Sequence, residues 1–411
     1  MVESDCCLEM KIEKGSERKE VTSTPTKEDE SEPRKKLTLF FICGTLLFCH
    51  FFAQGLRENA LNQYSYKEFQ SMVEQDVSGN ASMADAYNGS DISVSCVKSS
   101  NSTLYEGQSE AQRLTSQWNI YRTVIPGAAS ILTTLLFGVL SDTYGRKWFI
   151  TIPLIGHFVR NALYTIGIYF RIDIYIFLAI GMTEFLFGPG EAILAAIFST
   201  VADNTSADKN RSKVLAIMIL SAGVGLSTSL VSSGYIIDSA GYMYPMLISS
   251  AILLPAIILS FCLSDSSGNR TVSSADNKDT FSKKIIKQLK GIYEFYVKDS
   301  SVSGNRWKYI VCMLAFLLTQ IVNGGVVNVE FLFTFNTPLC WNSIIFGWYG
   351  LAQSVTLNIV SMAFFPLIQK CLRDETINVI ASISSAVSLI FEAFAINDIM
   401  MFIGNYFEYI R

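Results

Sequence analysis

Three ionisable residues stand inside stretches that are otherwise apolar: Arg160, Glu184 and Glu191. A charge at the middle of a bilayer is costly, so such a residue has a partner or a task. Arg160 lies 11 residues before Arg171, and Glu184 lies 11 residues after Asp173. At a rise of ~1.5 Å per helical residue, each stands about 16 Å below the same surface. Shared depth and opposite charge predict an ion pair. Glu191 follows Glu184 by seven residues, which puts both carboxylates on one face of a continuous helix. The chemistry open to this set is reversible binding. A carboxylate takes up a proton or cation, and the guanidinium holds a glutamate or an anionic solute. A purely structural ion pair is the alternative.

Two further clusters are of the same kind. In "AQGLRENALNQY" (53–64), Gln54, Arg57, Glu58 and Asn62 follow an apolar run. Arg57 there meets an anionic solute, its neighbour Glu58 or a lipid headgroup. Around Gly324-Gly325 stand Gln320, Asn323, Asn328 and Glu330. The glycine pair predicts an interrupted helix, and broken helices build solute sites in transporters because freed backbone groups face the cavity. A packing kink with satisfied amides is the alternative. His50 and His157 read as polar helix residues. The sequence has no metal-ligand spacing, no nucleophile with its base and no phosphate-binding loop, so no catalytic residue, metal or cofactor is expected. Nothing supports binding to nucleic acid.

The elements that carry these residues are set by hydropathy. Half of the 411 residues are hydrophobic and only 17% are charged, against about a quarter charged in soluble domains. Mean hydropathy is +0.32. A membrane span needs roughly 20 mainly apolar residues. Nine such runs are present: 37–56, 118–140, 147–170, 174–199, 213–236, 242–263, 307–334, 342–366 and 375–396. A tenth begins near Asp398 and reaches the end at Arg411, so the second set of helices reads as incomplete. In hydrocarbon the backbone must bond to itself, so each run is a helix. The expected fold class is an all-α, multi-pass membrane protein. The first 36 residues are polar, with no early apolar core, and read as a tail rather than a cleaved targeting peptide.

Charge gives the orientation. With the N-terminus in the cytoplasm, the inner segments hold 25 Lys and Arg and the outer segments hold 6. That asymmetry is the positive-inside pattern. The outer segment 57–117 then carries glycosylation sequons at Asn80, Asn88 and Asn101. Of nine cysteines only Cys96 and Cys340 fall in outer loops. Disulfides persist on the oxidising side, which predicts that these two pair; two free thiols are the alternative.

The long inner loop, 264–306, separates six runs (37–263) from the rest (307–411). Within it, "FSKKIIKQLKGIYEFYVK" (281–298) has Ile285, Ile286, Leu289, Ile292 and Phe295 at helical spacing. This is an amphipathic helix on the inner surface or beneath the bundle. Six spans, an inner linker and a second set match a transporter built of two halves. Gly223, Gly225 and Gly234 in the fifth run read as close-packing contacts that permit rocking.

One charged turn interrupts the apolar chain between the second and third runs. It reads Gly138-Val139-Leu140-Ser141-Asp142-Thr143-Tyr144-Gly145-Arg146-Lys147. Gly138 admits a neighbouring helix. Gly145 permits a turn with positive φ. Asp142 suits a helix N-terminus. Arg146 reaches a carboxylate on a neighbouring helix, for which Asp203 in "TVAD" is the candidate. The stretch resembles the G-x-L-[AS]-D-x-x-G-R-[RK] signature of the major facilitator superfamily, in the place where that family carries it. The resemblance implies an inner latch that holds two halves closed. A topology marker with snorkelling cations is the alternative. In the family the aspartate faces an eleventh helix, which this chain does not contain.

A second resemblance is narrower. "TPLCWNSIIFGWYG" (337–350), "VADNTSADKNRSK" (201–213) and the glycosylatable first outer loop resemble the proton-coupled folate transporter-like family, which includes thymic and lysosomal members. The likeness covers roughly 37–411. The family's proton-coupling glutamate and histidine correspond by neighbouring residues to Ile219 and Asn323, and an acidic position in the fourth helix to Pro189, with Glu191 close by. Neither folate nor the family's proton machinery is therefore carried over.

Together these readings predict a secondary active transporter of a small organic, anionic solute, with protons as coupling ion and the lipid bilayer as surroundings. It works by alternating access in the plasma membrane or, as the second choice, the lysosomal membrane. A non-transporting membrane receptor or regulatory fragment is the alternative.

Overall fold

Apolar runs become helices, and where each helix stops is set by its glycines, prolines and capping groups. The computed structural model describes residues 27–79, 102–205, 209–263, 306–336, 338–357 and 374–407, with 286, 290 and 294 as isolated points. The first six runs form α1 (Lys27–Gly79), α2 (Ser102–Tyr144), α3 (Arg146–Tyr169), α4 (Ile176–Gly181), α5 (Thr183–Phe187), α6 (Gly190–Asp203), α7 (Lys209–Ala240) and α8 (Met243–Phe261). The later runs form α9 (Arg306–Thr334), α10 (Ser343–Val355), α11 (Asp374–Ala393) and α12 (Asp398–Phe407). Among the described residues there is no strand. The chain divides into two units at Thr38, and everything below concerns the unit Leu39–Arg411. Most of the linker 264–306, the three sequons and Cys96 lie outside the described residues.

Five helical stretches are, by length and composition alone, able to cross a membrane: Arg34–Val73, Ile176–Asp203, Arg211–Ala240, Met243–Phe261 and Trp307–Thr334. α3 is long enough but carries His157, Arg160 and Asn161 at its centre. That polar centre lowers its hydropathy.

Three expectations need correction. The segment 57–117 is not mainly a loop, because α1 continues to Gly79 and α2 begins at Ser102. Its residues Ala60, Leu61 and Phe69 are buried together with Trp118, and that packing extends both helices. The fourth run is not one helix. It breaks at Met182, and again at Gly188 (φ 96) and Pro189 (φ −75, ψ 162), between α5 and α6. Proline disfavours helical geometry in the residue before it, and glycine accepts the positive φ that results. Conversely, α9 runs unbroken through Gly324-Gly325. A helical glycine costs only about 1 kcal/mol relative to alanine, less than an unsatisfied backbone group in lipid.

Packing places α3 against α8 and α6, α7 against α10, and α11 against α12. Two apolar clusters fill the first six runs. One gathers Leu46, Leu47, Ile150, Leu154, Ile193, Ile197 and Leu253. The other gathers Leu61, Tyr64, Trp118, Tyr164, Phe177 and Met246. Along α1, α3 and α8 they are separated by a layer of buried polar residues: His50, Arg57 and Asn59, then His157, Arg160 and Asn161, then Ser249 and Ser250.

Candidate transport site

The polar layer exists because helical spacing stacks its members. His50 and Arg57 are seven residues apart on α1; His157, Arg160 and Asn161 share one face of α3. Glu58 is the hub. Its Oε1 accepts from Arg57 Nη2 at 2.7 Å and Nε at 3.2 Å, and its Oε2 accepts from Arg122 Nη1 at 2.6 Å. Arg122 Nη2 donates to Asn62 Oδ1 at 2.6 Å. Arg160 pairs with Glu184 of α5 through Nη1 and Oε1. The two networks meet at His157, whose Nδ1 accepts from Arg160 Nη2 at 2.7 Å and from Arg57 Nη1 at 3.2 Å. Guanidinium only donates, so this nitrogen is an acceptor and a neutral His157 carries its proton on Nε2. Asn161 Oδ1 accepts from Arg57 Nη1 at 3.4 Å, and its Nδ2 donates to Ser249 Oγ at 2.6 Å.

Exposure sorts the charges. Side-chain exposure is 4% for Arg57, 11% for Arg122 and 5% for Arg160, against 40% for Glu58 and 23% for Glu184. The cations sit deep and the carboxylates form the open edge. Three guanidiniums meet two carboxylates in this contacting set. An anion of matching shape satisfies the difference, and proton uptake on a carboxylate releases a guanidinium to hold it.

The remaining sequence candidates fall elsewhere. Glu191 is exposed in the first turn of α6. The Gly188-Pro189 break puts it on a different helix from Glu184. Gln54 is half-buried on α1. Asn328 is spent on its own helix, donating to Gly324 O at 3.0 Å. Glu330 is buried and lies 3.5 Å from Tyr349 Oη. The side chain of Asn323 is outside the described residues. Among the described residues there is no break in α9 for such a cluster to gather around.

The charged turn ties three helix ends. Gly145 has φ 93 and starts α3. Arg146 Nε meets Asp203 Oδ2 at 2.8 Å at the end of α6. Lys147 Nζ donates to Phe261 O at 2.7 Å at the end of α8, where a cation suits the negative helix terminus. The side chain of Asp142 lies outside the described residues. Gly138 has no described atom within 4 Å of the position a Cβ would take, so the close helix contact expected there is not made among the described residues.

At the opposite end of the helices, the first six runs close on α9 and α10. A Cβ on Gly234 would lie 2.5 Å from Ser343 O, and one on Gly347 would lie 2.7 Å from Leu230 O. Ser227 Oγ donates to Ser354 Oγ at 2.5 Å. Ser343 Oγ donates to Gln63 Oε1, and Gln108 Nε2 donates to Asn336 Oδ1. Tyr66 packs edge-on against Phe331. Cys340, next to this seam, is disulfide-bonded.

Arg122, His157, His50 and Asn161 were not singled out from the sequence as site residues. A usable signal was there: polar residues recur at positions 50, 57, 157, 160 and 161, at helical spacing within apolar runs.

The comparisons with known proteins agree with this architecture. The D-xylose-proton symporter crystal structure superposes with a TM-score of 0.56 at 13% identity, covering 92% of this chain and 79% of that one. The chain is 26% identical over 355 residues to the bovine (Bos taurus) lysosomal proton-coupled steroid conjugate and bile acid symporter SLC46A3, covering 86% of this chain and 74% of the relative. It is 25% identical over 321 residues to the rat (Rattus norvegicus) proton-coupled folate transporter, covering 77% of this chain and 66% of the relative. The pattern that describes the Major Facilitator Superfamily matches residues 108–407. A helical membrane bundle with a charged turn between α2 and α3 and a buried ionic layer at its centre thus belongs to the Major Facilitator Superfamily.

Proposed function

We propose that this secondary active transporter moves a small organic anion together with a proton, by alternating access. The observation that carries the reading is the ionic layer. Arg57 and Arg160 are buried behind Glu58 and Glu184, between two apolar clusters. A buried charge set without a task is an expense that apolar residues of the same size avoid. The relatives named as proton-coupled act, by those names, on bile acids and steroid conjugates or on folate. Bile acids and folates are organic carboxylates, which suits a site rich in arginine. In this reading Glu184 takes the proton, Arg160 and Arg57 hold the anion, and Arg146, Asp203 and Lys147 form the inner latch. Glu191, Gln54, Asn323, Asn328 and Glu330 remain candidate cavity residues. No observation favours the receptor alternative.

The N-terminus faces the cytoplasm. The six outer charges lie in 57–122 and at Arg171; Arg57 and Arg122 among them belong to the ionic layer, so the outer total of Lys and Arg falls from 6 to 4 against 25 inside. That sharpens the asymmetry. Cys96 is the proposed partner of Cys340, and Asn80, Asn88 and Asn101 the glycosylation sites, all on the outer side. The plasma membrane is the first choice of location. The lysosomal membrane is the second, favoured by the likeness to the bovine lysosomal symporter.

The test is uptake into proteoliposomes of radiolabelled taurocholate and folic acid, with and without an inward proton gradient. Stimulation by the gradient, removed by a protonophore, supports symport. Uptake of either compound that ignores the gradient excludes it.

A further inference from the structure

The chain has two histidines, and they touch each other. His50 on α1 and His157 on α3 lie with ring centroids 4.8 Å apart at an interplanar angle of 70°. Both are buried, at 1% and 4% exposure. Neither ring nitrogen of His50 has a hydrogen-bond partner among the described residues, nor does Nε2 of His157. A buried polar group left unpaired is rare and calls for an explanation, of which a bound proton, ion or water is one. Both Nε2 atoms converge on Gly190, the first residue of α6. A Cβ there would lie 3.0 Å from His50 Nε2 and 3.2 Å from His157 Nε2. Glycine lets both rings approach the backbone at the break after α5.

The surrounding charges are specific. On α1, Arg57 bonds His157 and is itself held by Glu58; on α2, Arg122 joins this set through Glu58. On α3, Arg160 donates to His157 and Tyr164 stands one turn beyond. Glu184 on α5 pairs with Arg160, and Glu191 on α6 stays at the exposed edge. On α8, the Ser249 hydroxyl joins the set through Asn161 Nδ2 at 2.6 Å. A proton added to the imidazoles therefore meets two guanidiniums bonded to the same ring. An anionic group bound to those guanidiniums removes that opposition.

We propose that His50 and His157 form the proton-binding half of a charge-coupled site, in which a solute anion held by Arg57 and Arg160 allows the imidazole pair to take up one proton. This rests on the anion–proton symport reading above and moves the proton from Glu184 to the histidines. Coupling follows from linkage: if the anion favours the proton, the proton favours the anion by the same factor. Neither binds well alone, which is the condition for a symporter that does not leak.

With two histidines in the chain, imidazole nitrogen NMR reports on this site alone. The full chain, labelled with 15N-histidine in lipid nanodiscs, is titrated between about pH 5 and pH 7.5, the range of an ordinary imidazole. Wild type without anion is expected to show neutral rings, with His157 protonated at Nε2. Adding taurocholate, or replacing Arg57→Gln to delete one positive charge, is expected to raise the titration midpoint by about one pH unit or more. Arg160→Met repeats the charge deletion in case Arg57→Gln fails to fold. A midpoint unmoved by anion and by charge deletion overturns the proposal. A parallel transport measurement separates it from symport itself. Proton-gradient stimulation unchanged in the His50→Gln/His157→Gln double variant overturns the histidine site and leaves symport standing. Loss of stimulation with retained solute exchange supports the site. Wild-type uptake indifferent to the gradient removes symport, and the NMR titration then decides whether the pair binds a proton.

Discussion

Arg146 Nε and Asp203 Oδ2 meet at 2.8 Å and join the first residue of α3 to the last residue of α6. The pair is only partly shielded, with side-chain exposures of 16% and 31%. A pair of that exposure contributes about 1 kcal/mol or less to stability. Asp203→Asn is therefore expected to leave the melting temperature within about 3 °C of wild type, while slowing uptake several-fold by loosening the inner latch. The charge swap Arg146→Asp/Asp203→Arg is expected to recover part of the rate. Thermal melts in detergent and initial uptake rates check both; a large loss of melting temperature with normal uptake contradicts the latch.

Glu184→Gln leaves Arg160 buried with its counterion gone. Breaking a buried pair from one side costs about 3–5 kcal/mol. A marked fall in melting temperature is expected, and uptake is lost. The double variant Arg160→Met/Glu184→Leu removes both charges and is expected to recover most of the stability but none of the transport. A double-mutant cycle on melting free energies reads the coupling. Equal stability of the single and double variants contradicts an ion pair at this place.

The seam between α7 and α10 predicts a steric effect. Gly234→Val drives a side chain onto the backbone of Ser343, and overpacking of this kind costs about 1–3 kcal/mol. Uptake is expected to fall to background, because the two helices no longer close. Gly127→Ala serves as control. Nothing described stands within 4 Å of its Cβ position, and a helical alanine is favoured over glycine by about 1 kcal/mol. Normal uptake in Gly234→Val contradicts the closing role of the seam.

The pair Glu110–Arg113, near the start of α2, gives a pH expectation with a definite sign. The Arg113 hydrogen bond holds the Glu110 carboxyl below its ordinary range. A depressed carboxyl stabilises the fold above its unfolded value and loses that contribution as pH falls through the folded value. The window thus lies below ordinary carboxylate titration, outside the range in which a histidine responds. Glu110→Gln is expected to leave the pH profile of uptake between about pH 5 and pH 7.5 unchanged. A shifted profile in that variant assigns part of the pH response to this pair.

Much of the membrane architecture was legible because lipid leaves the backbone few choices. The apolar runs gave the helices, and depth counting from Arg171 and Asp173 paired Arg160 with Glu184. Of the three features misread, two lay at glycine. Gly324-Gly325 suggested a break where hydrocarbon enforces continuity, and Gly188-Pro189 produced one within a run read as whole. The proline, not the glycine, was the decisive residue. The centre of the site was harder to see. Arg122 and Glu58 are 64 positions apart. Arg57 and Asn161 are 104 apart. Hydropathy carries no information on such pairings. His50 and His157 looked like ordinary polar helix residues until the packing of α1 on α3 brought their rings together.

The distance in sequence between partners has a bearing on biogenesis. α1 emerges from the ribosome with Arg57, Glu58, Asn59, Asn62 and Gln63 near its middle, while Arg122, Asn161 and Ser233 are still unmade. Each such residue disfavours release into lipid. The first helix must wait at the insertion machinery, or be inserted shallowly, until at least the third has been synthesised. Ribosome-stalled chains ending just before and just after Asn161 should differ in whether α1 resists carbonate extraction.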